Sequence, residues 1–211
     1  MAEVHLIGQL VGGGDFYPYK SLFCKWSIQT GGAWKQLQGL REGQTQVDNP
    51  EDGEVAYWCH PIDLHYATKG LQGWPKLHVQ IFHQDELGRS VHNKINMICI
   101  APYKYYYYHP HIHTRKLRYT FYYRNELVAY GFSHLPTSPG QHNLEVVTWR
   151  PSGSLRDTIS QFYIGGSHQL RNPDLVISST DRYRLSTTTM GKVYVQLAVI
   201  LRNFEKFGVE S

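Results

Sequence analysis

The side chains best suited to chemistry in this chain are three histidines near its middle. His109, His111 and His113 alternate in the order H-P-H-I-H. On a β-strand this spacing puts three imidazoles on one face, where they could share Zn²⁺ or Cu²⁺. The surrounding stretch, Val91–Arg124, contains eight of the sixteen tyrosines, six Lys or Arg residues and no acidic residue. Because Lys and Arg bind phosphates while Tyr stacks on bases, a nucleic-acid surface is a second interpretation.

A third interpretation treats Val91–Arg124 as an atypical insertion, because the composition changes abruptly at both edges and Tyr105–Tyr108 are consecutive tyrosines. It is then either an ordinary long loop or sequence not selected as protein, such as retained non-coding sequence. The formal net charge of the chain, +4, is smaller than the six positive charges of this segment. The basic character therefore comes from the insertion alone, and we predict neither a metal site nor a nucleic-acid partner.

A candidate calcium site lies in Leu77–Arg89, a strand that runs into a loop in the manner of C2 domains. In such domains two aspartates at alternate positions bind Ca²⁺, whereas here the corresponding pair is His83 and Asp85. Ca²⁺ needs about six to eight oxygen ligands, and one aspartate with Glu86 nearby supplies too few. We predict that the domain has no calcium site.

The chain shows no Gly-x-Ser-x-Gly elbow, P-loop or dinucleotide-binding fingerprint. Gly12–Gly14 is predicted to be a turn, without the strand–turn–helix context of a phosphate loop. The acidic residues Asp48, Glu51, Asp52 and Glu54 are predicted to form a solvated loop. We therefore predict a protein that is not an enzyme, with no catalytic residues and no cofactor.

Length and composition indicate one folded soluble domain, since 211 residues include 41% hydrophobic and 18% charged residues. Cys24, Cys59 and Cys99 are too few and too scattered for a disulfide framework or a zinc site, and Cys24 is expected to be a buried thiol. The N-terminus does not resemble a secretory signal, and no apolar run is long enough to span a membrane. We expect a cytosolic protein.

Period-two hydrophobic alternation runs through most of the chain and predicts β-strands. It is clearest in Gly191–Arg202, where Val193 to Leu201 place every second residue on one face. The other predicted strands are Val4–Leu10, Leu22–Ile28, Val55–Tyr57, Ile62–Ala67, Leu77–Phe82, Leu127–Leu135, Leu144–Trp149 and Tyr183–Leu185. One short helix is predicted at Ser154–Tyr163. About eight strands separated by Gly and Pro turns predict an all-β, antiparallel β-sandwich. We predict one domain, 1–211, interrupted at about 91–124.

Several blocks of sequence, in order along the chain, resemble the B9-domain family. They include MAEVHLIGQL at the N-terminus, EGQTQVD at Glu42–Asp48, HPIDLHYATKGLQGWPKLH at His60–His78, TWRP at Thr148–Pro151, DRYRL at Asp181–Leu185 and AVILRNFEKFGVE from Ala198. The similarity covers nearly the whole chain except Val91–Arg124. In the family pattern, a segment like Asn125–Phe132 follows Gly88–Arg89 directly.

The resemblance implies a C2-like sandwich without calcium ligands, acting as a scaffold subunit of the tectonic-like (Meckel syndrome) complex at the ciliary transition zone. That complex supports ciliogenesis and limits the entry of proteins into the cilium. The implied partners are B9 domain-containing protein 1, the Meckel syndrome type 1 protein and other members of the complex, and γ-tubulin is compatible with the same resemblance. The implied location is the cytoplasm and cytoskeleton, at the basal body and the transition zone.

A scaffold needs exposed anchors, and we predict that the partner-binding residues are Leu135, Pro136, Thr137, Ser138, Pro139, Gly140 and Trp74. Two prolines hold the loop Leu135–Gly140 rigid. Trp34, Trp58 and Trp149 are further candidates, although Trp in a sandwich more often packs in the core. An alternative function is calcium-independent, peripheral binding to phospholipid membranes, suggested by Lys69 and Lys76 on either side of Leu71 and Trp74.

Overall fold

The computed structural model describes residues 1–50, 55–85, 124–153, 169–176 and 185–208, which form nine antiparallel strands in one sheet. The strands are β1 (Ala2–Gly14), β2 (Leu22–Gln29), β3 (Trp34–Gly39), β4 (Glu42–Gln44), β5 (Ala56–Thr68), β6 (Lys76–Asp85), β7 (Arg124–His134), β8 (Gly140–Pro151) and β9 (Thr187–Arg202). The helices among these residues are two short 3-10 segments, Pro173–Val176 and Glu205–Phe207. No helix in these ranges is long and apolar enough to cross a membrane.

The sheet curls on itself between β7 and β8. Neighbouring strands follow the order β3-β5-β1-β9-β8-β7-β6-β2-β4. Strand β8 pairs with β9 from Gly140 to Pro151, but it pairs with β7 only at Tyr130↔Trp149 and Gly131↔Thr148. Buried side chains from both halves of the strand order form the main core, and a smaller cluster contains Leu127, Tyr130 and Val176. This arrangement confirms the predicted C2-like antiparallel sandwich, with nine strands instead of about eight.

Alternation along the strands decides which side chains enter that core. In β9, Val193, Val195, Leu197 and Val199 are at most 2% exposed, while the residues between them are half-buried. Across the ladder to β1, Leu6 lies opposite Val199 and is also fully buried. Each such side chain contributes on the order of 1.5–3 kcal/mol when it leaves water. Hydrophobic residues alternate in the sequence with the same period of two with which side chains are buried in the structure.

The structure corrects the predicted turn at Gly12–Gly14, because these glycines are the last residues of β1. The register of β1 with both neighbours shifts between Leu10 and Gly12. A Cβ atom on Gly13 would lie 2.7 Å from the ring of Trp58. Glycine is present here so that an aromatic side chain can pack against the strand, and not to bind phosphate.

Other differences concern exposed or irregular segments. Strand β5 joins the two predicted strands Val55–Tyr57 and Ile62–Ala67 into one. Strands β3 and β4 were not predicted, since most of their residues are exposed and carry little alternation. Leu185, the last residue of the predicted strand Tyr183–Leu185, lies in no strand. The predicted helix Ser154–Tyr163 is outside the described residues.

Strands β6 and β7 form a hairpin at the position of the predicted insertion. Their last register pairs are Gln84↔Asn125 and Asp85↔Arg124, so the two strand ends lie side by side. Arg124 is the first residue of β7 and belongs to the sheet. The connection, 86–123, contains the rest of the insertion with its histidines, and it is outside the described residues.

Candidate partner-binding surfaces

One end of the sandwich is built from the two loops that contain the predicted partner-binding residues. The β5–β6 loop, 69–75, leads into β6, and the β7–β8 loop, 135–139, leaves β7, where Lys76 and His134 are register partners. The backbone N–H of Leu135 donates a hydrogen bond to the carbonyl oxygen of Pro75 at 3.3 Å. The structure thus brings Trp74 and Leu135–Gly140 together at what we call the loop end, residues 69–75 and 135–140.

The side chain of Trp74 packs inward against the core and does not project from the loop end. Its ring packs edge-on against Trp34, with centroids 5.1 Å apart, and against Phe204 at 6.2 Å. The side chain is half-buried and contacts the main core. Because moving it into a membrane or a partner pocket would break these contacts, Trp74 is better suited to positioning its loop than to anchoring a ligand.

The β7–β8 loop divides into a buried base and an exposed tip. Leu135 is 3% exposed and belongs to the core, and Pro136 is half-buried. The exposed residues are Thr137, Ser138, Pro139 and Gly140. The Nε2 atom of His142 is 3.0 Å from the carbonyl oxygen of Ser138, which fixes the tip on β8. Of the predicted loop, these last four residues are the ones that a partner can reach.

The remaining candidate tryptophans are largely structural. Trp34 and Trp58 are 7% and 2% exposed. The indole N–H of Trp58 donates a hydrogen bond to the carbonyl oxygen of Leu22 at 3.1 Å, so its polar atom is satisfied inside the core. Trp149 is half-buried and packs against Tyr130, with ring centroids 5.7 Å apart. These positions agree with the expectation that Trp packs in the core of a sandwich.

His83 of the candidate calcium segment and Asp48 of the predicted acidic loop have partners within the chain. The Nδ1 atom of His83 is hydrogen-bonded to the backbone carbonyl oxygen of Lys20. Asp48 accepts a hydrogen bond from the backbone N–H of Tyr57 at 2.7 Å, so it joins two segments of chain. Asp85 is the last residue of β6. Glu86, and Glu51, Asp52 and Glu54 of the predicted acidic loop, lie outside the described residues.

Three ionisable groups with raised pKa values are buried side chains on different strands. Burial raises the pKa of the Cys24 thiol and of the Tyr66 and Tyr130 hydroxyls. The hydroxyl of Tyr130 accepts a hydrogen bond from the backbone N–H of Leu170 at 3.1 Å, which opposes the rise in its pKa. These three groups lie on β2, β5 and β7, so burial, and not an acid–base pair, explains their shifts.

A second surface, which sequence analysis missed, lies on the outside of the layer formed by β5, β1 and β9. Ile7 and Ile200 are 45% and 50% exposed. In the β1–β9 register, Ile7 lies opposite Ala198 and His5 lies opposite Ile200. We call Ile7, Pro61, Ala198 and Ile200 the outer apolar face.

A shallow depression of about 280 Å³ adjoins this face. Its lining residues are Ile7, Gly8, Gln9, Pro61, Gln141, Gln196 and Ala198. The signal that could have revealed this surface is an isoleucine at position 7, where alternation calls for a polar residue like His5 and Gln9 on either side.

The chain is therefore a C2-like β-sandwich with exposed apolar side chains on its outer surface. A family model described as "Ciliary basal body-associated, B9 protein" matches residues 4–200. The chain belongs to this family of ciliary basal body-associated B9 proteins.

Individual relatives agree with this assignment. The chain is 51% identical to B9 domain-containing protein 2 of Danio rerio, over the full length of both chains. It is 47% identical to the Homo sapiens protein of the same name, with 100% of this chain and 99% of the relative covered. B9 domain-containing protein 1 of Xenopus laevis is 20% identical, over 93% of this chain and 83% of its own.

Proposed function

We propose that this chain is a non-enzymatic scaffold subunit of the tectonic-like (Meckel syndrome) complex at the ciliary transition zone. In this role it supports ciliogenesis and the barrier that limits the entry of proteins into the cilium. Its direct partners are B9 domain-containing protein 1 and the Meckel syndrome type 1 protein, with other complex members and γ-tubulin as further contacts. It acts in the cytoplasm and cytoskeleton, at the basal body and the base of the axoneme.

The observation that carries this proposal is the match of residues 4–200 to a family of ciliary basal body-associated proteins. B9 domain-containing protein 1 is similar over most of its length but only 20% identical, so the family contains divergent members of comparable length. Related sandwiches that differ at their surfaces can assemble into one complex, each using a different face.

The outer apolar face is the surface that we propose for the first partner. Stable interfaces bury about 800 Å² on each side and depend on a few anchors near the centre of the patch. Ile7 and Ile200 lie on neighbouring strands of a regular ladder, so they offer anchors at low entropic cost. The exposed tip of the loop end, Thr137–Gly140, is proposed as a second contact.

Co-purification tests both surfaces. Tagged chain is expressed with B9 domain-containing protein 1 and the Meckel syndrome type 1 protein, and the captured amounts are compared among variants. The double variant Ile7→Glu/Ile200→Glu puts charges into the proposed interface and should reduce capture at least tenfold. Val147→Glu is the matched control, because Val147 is 52% exposed on β8, six residues or about 20 Å along that strand from Gln141.

Two results would contradict the proposal. Repeated failure of the unmodified, folded chain to capture either partner argues against the scaffold role itself. Equal capture by the double variant and the control argues against the outer apolar face and leaves the loop end, which Thr137→Gly/Pro139→Gly then tests. In cells, a fluorescent fusion of the chain should concentrate at the base of the cilium.

We do not extend the proposal to binding of phospholipid membranes. The alternative was suggested by Lys69 and Lys76 on either side of Leu71 and Trp74, but the ring of Trp74 packs against Trp34 and Phe204. Leu71, 41% exposed, remains as the apolar residue of that loop, with the exposed Lys69 beside it. One exposed leucine and two lysines, of which Lys76 is half-buried, provide little membrane affinity.

A further inference from the structure

Three potential metal ligands converge on the outside of β1 and β5. His5 and His65 are register partners on these antiparallel strands, and Glu3 lies two residues before His5 on the same face. One ligand atom from each of the three side chains lies within 4.8 Å of the other two. We propose that Glu3, His5 and His65 form a zinc site.

The ligand atoms of His65 and Glu3 already have nearly the spacing that a shared ion requires. The Nε2 atom of His65 is 3.5 Å from a carboxylate oxygen of Glu3. A tetrahedral zinc ion with bonds of about 2.0–2.1 Å holds its ligand atoms roughly 3.3–3.4 Å apart. The spacing of these two ligand atoms is thus within a few tenths of an ångström of that value.

The same nitrogen atom lacks a hydrogen bond. Nε2 of His65 is buried and has no hydrogen-bond partner. A buried nitrogen whose carboxylate neighbour lies at 3.5 Å, without hydrogen-bond geometry, is poorly satisfied, and an ion between the two groups would satisfy both. Zinc accepts the lone pair of a neutral imidazole, so it would satisfy this atom directly.

His5 completes the ligand set after a small rearrangement. Its ring stacks on that of His65, with centroids 3.7 Å apart and an angle of 18° between the planes. A zinc ion lies near the plane of each imidazole that binds it, so the two rings must tilt apart. Both side chains are half-buried at the outer surface.

Charge and ligand type favour zinc over calcium or magnesium. Two imidazoles and one carboxylate are typical zinc ligands and leave a fourth position for water, whereas calcium prefers oxygen ligands. The guanidinium of Arg202 lies 3.5 Å from the same Glu3 carboxylate oxygen and competes for it. The side chain of Arg202 is 70% exposed, so it can turn into solvent when the metal binds.

The test measures Zn²⁺ binding to the full-length chain against a chromophoric chelator. The histidines of the insertion must not contribute, so the parent for all measurements carries alanine at four positions. These are His92, His109, His111 and His113. Co²⁺ replaces Zn²⁺ in a second titration, because the intensity of its visible absorption bands depends on how many ligands coordinate the ion.

The parent should bind one equivalent of Zn²⁺, and His5→Gln and His65→Gln should each weaken binding at least tenfold and abolish the Co²⁺ bands. His134→Gln, at an exposed histidine of β7, is the matched control and should bind like the parent. Arg202→Gln should tighten binding severalfold, because it frees the carboxylate of Glu3. Circular dichroism confirms that each variant has the strand content of the parent.

Two outcomes would overturn the zinc site. One is the absence of saturable Zn²⁺ binding by the parent. The other is binding that is equally tight in the parent and in the folded His5→Gln and His65→Gln variants, which would place the ion elsewhere. Neither outcome bears on the scaffold role, since the partners are captured in a separate assay.

Discussion

Removal of residues 91–123 should stabilise the domain. The described ends of β6 and β7 are hydrogen-bonded neighbours, with Asp85 opposite Arg124. Deletion leaves 86–90, ELGRS, as the connection, and a five-residue loop that contains a glycine is a common hairpin connection. The chain already resembles its family on both sides of this junction, so the shortened hairpin needs no other change.

The expected gain follows from loop closure. The connection shrinks from roughly 38 residues to about five, close to three halvings, and each halving lowers the entropic cost of closure by about 0.6 kcal/mol. The free energy of unfolding should therefore increase by about 1.8 kcal/mol. For a chain of this size, that corresponds to a rise in the melting temperature of about 4–7 °C.

Urea unfolding followed by tryptophan fluorescence measures the change. The control replaces 91–123 by a Gly/Ser sequence of equal length, which should unfold at the same urea concentration as the parent. A deletion variant that is less stable than the parent would refute the reasoning. So would a destabilised Gly/Ser variant, because it would show that the residues of the segment stabilise the sheet.

Three further predictions concern buried positions. Thr148 is fully buried, and its hydroxyl donates a hydrogen bond to the carbonyl oxygen of Gly191 at 2.6 Å. Thr148→Val should therefore lower the free energy of unfolding by about 1–3 kcal/mol, and Thr148→Ser should lower it by less. A Cβ atom on Gly131 would lie 2.9 Å from the methyl group of Thr148, so Gly131→Ala should be less stable by about 1–3 kcal/mol in the same assay, and parental stability would contradict this. Burial raises the pKa of Cys24, so alkylation at pH 8 with mass-spectrometric mapping should modify the exposed Cys59 and leave Cys24 unmodified until urea unfolds the chain.

Strands with one buried face were predictable because burial and alternation have the same cause. In β9 and β2 every second side chain leaves water, so the hydrophobic pattern identifies both the strand and its inner face. Strand β3 was not predicted because Trp34 is its one buried residue. The strand is held in place by its pairing with β5. Backbone hydrogen bonds stabilise such an edge strand without leaving a side-chain pattern.

The candidate surfaces were harder to predict, because exposure depends on tertiary packing. Trp74 and Leu135 are large and apolar, as interface anchors are, but the structure uses both for packing. Ile7 has the same chemical character as its buried neighbour Leu6 and differs only in the face of β1 that it occupies. Distinguishing a core residue from an anchor required knowing which face of each strand meets the opposite layer.

The curl of the sheet determines where partners can bind. Its two terminal strands, β3 and β4, are consecutive in the chain and separated by Leu40 and Arg41 alone, so both edges lie at the same corner. The backbone N–H of Ile28 donates a hydrogen bond to the carbonyl oxygen of Arg41 at 2.7 Å, which ties this corner to β2.

Strand β4 has three residues, too few to template an added strand, and β3 has a register shift between Gln36 and Gln38. A partner that added a strand would find a short or irregular edge at either end of the sheet. This geometry favours docking on a face of the sandwich. On the outer apolar face, Ile7 and Ile200 occupy exposed positions where the strand pattern would otherwise place polar residues. If Ile7→Glu/Ile200→Glu captures partners normally while proline substitutions in β3 abolish capture, edge pairing is the mode of assembly instead.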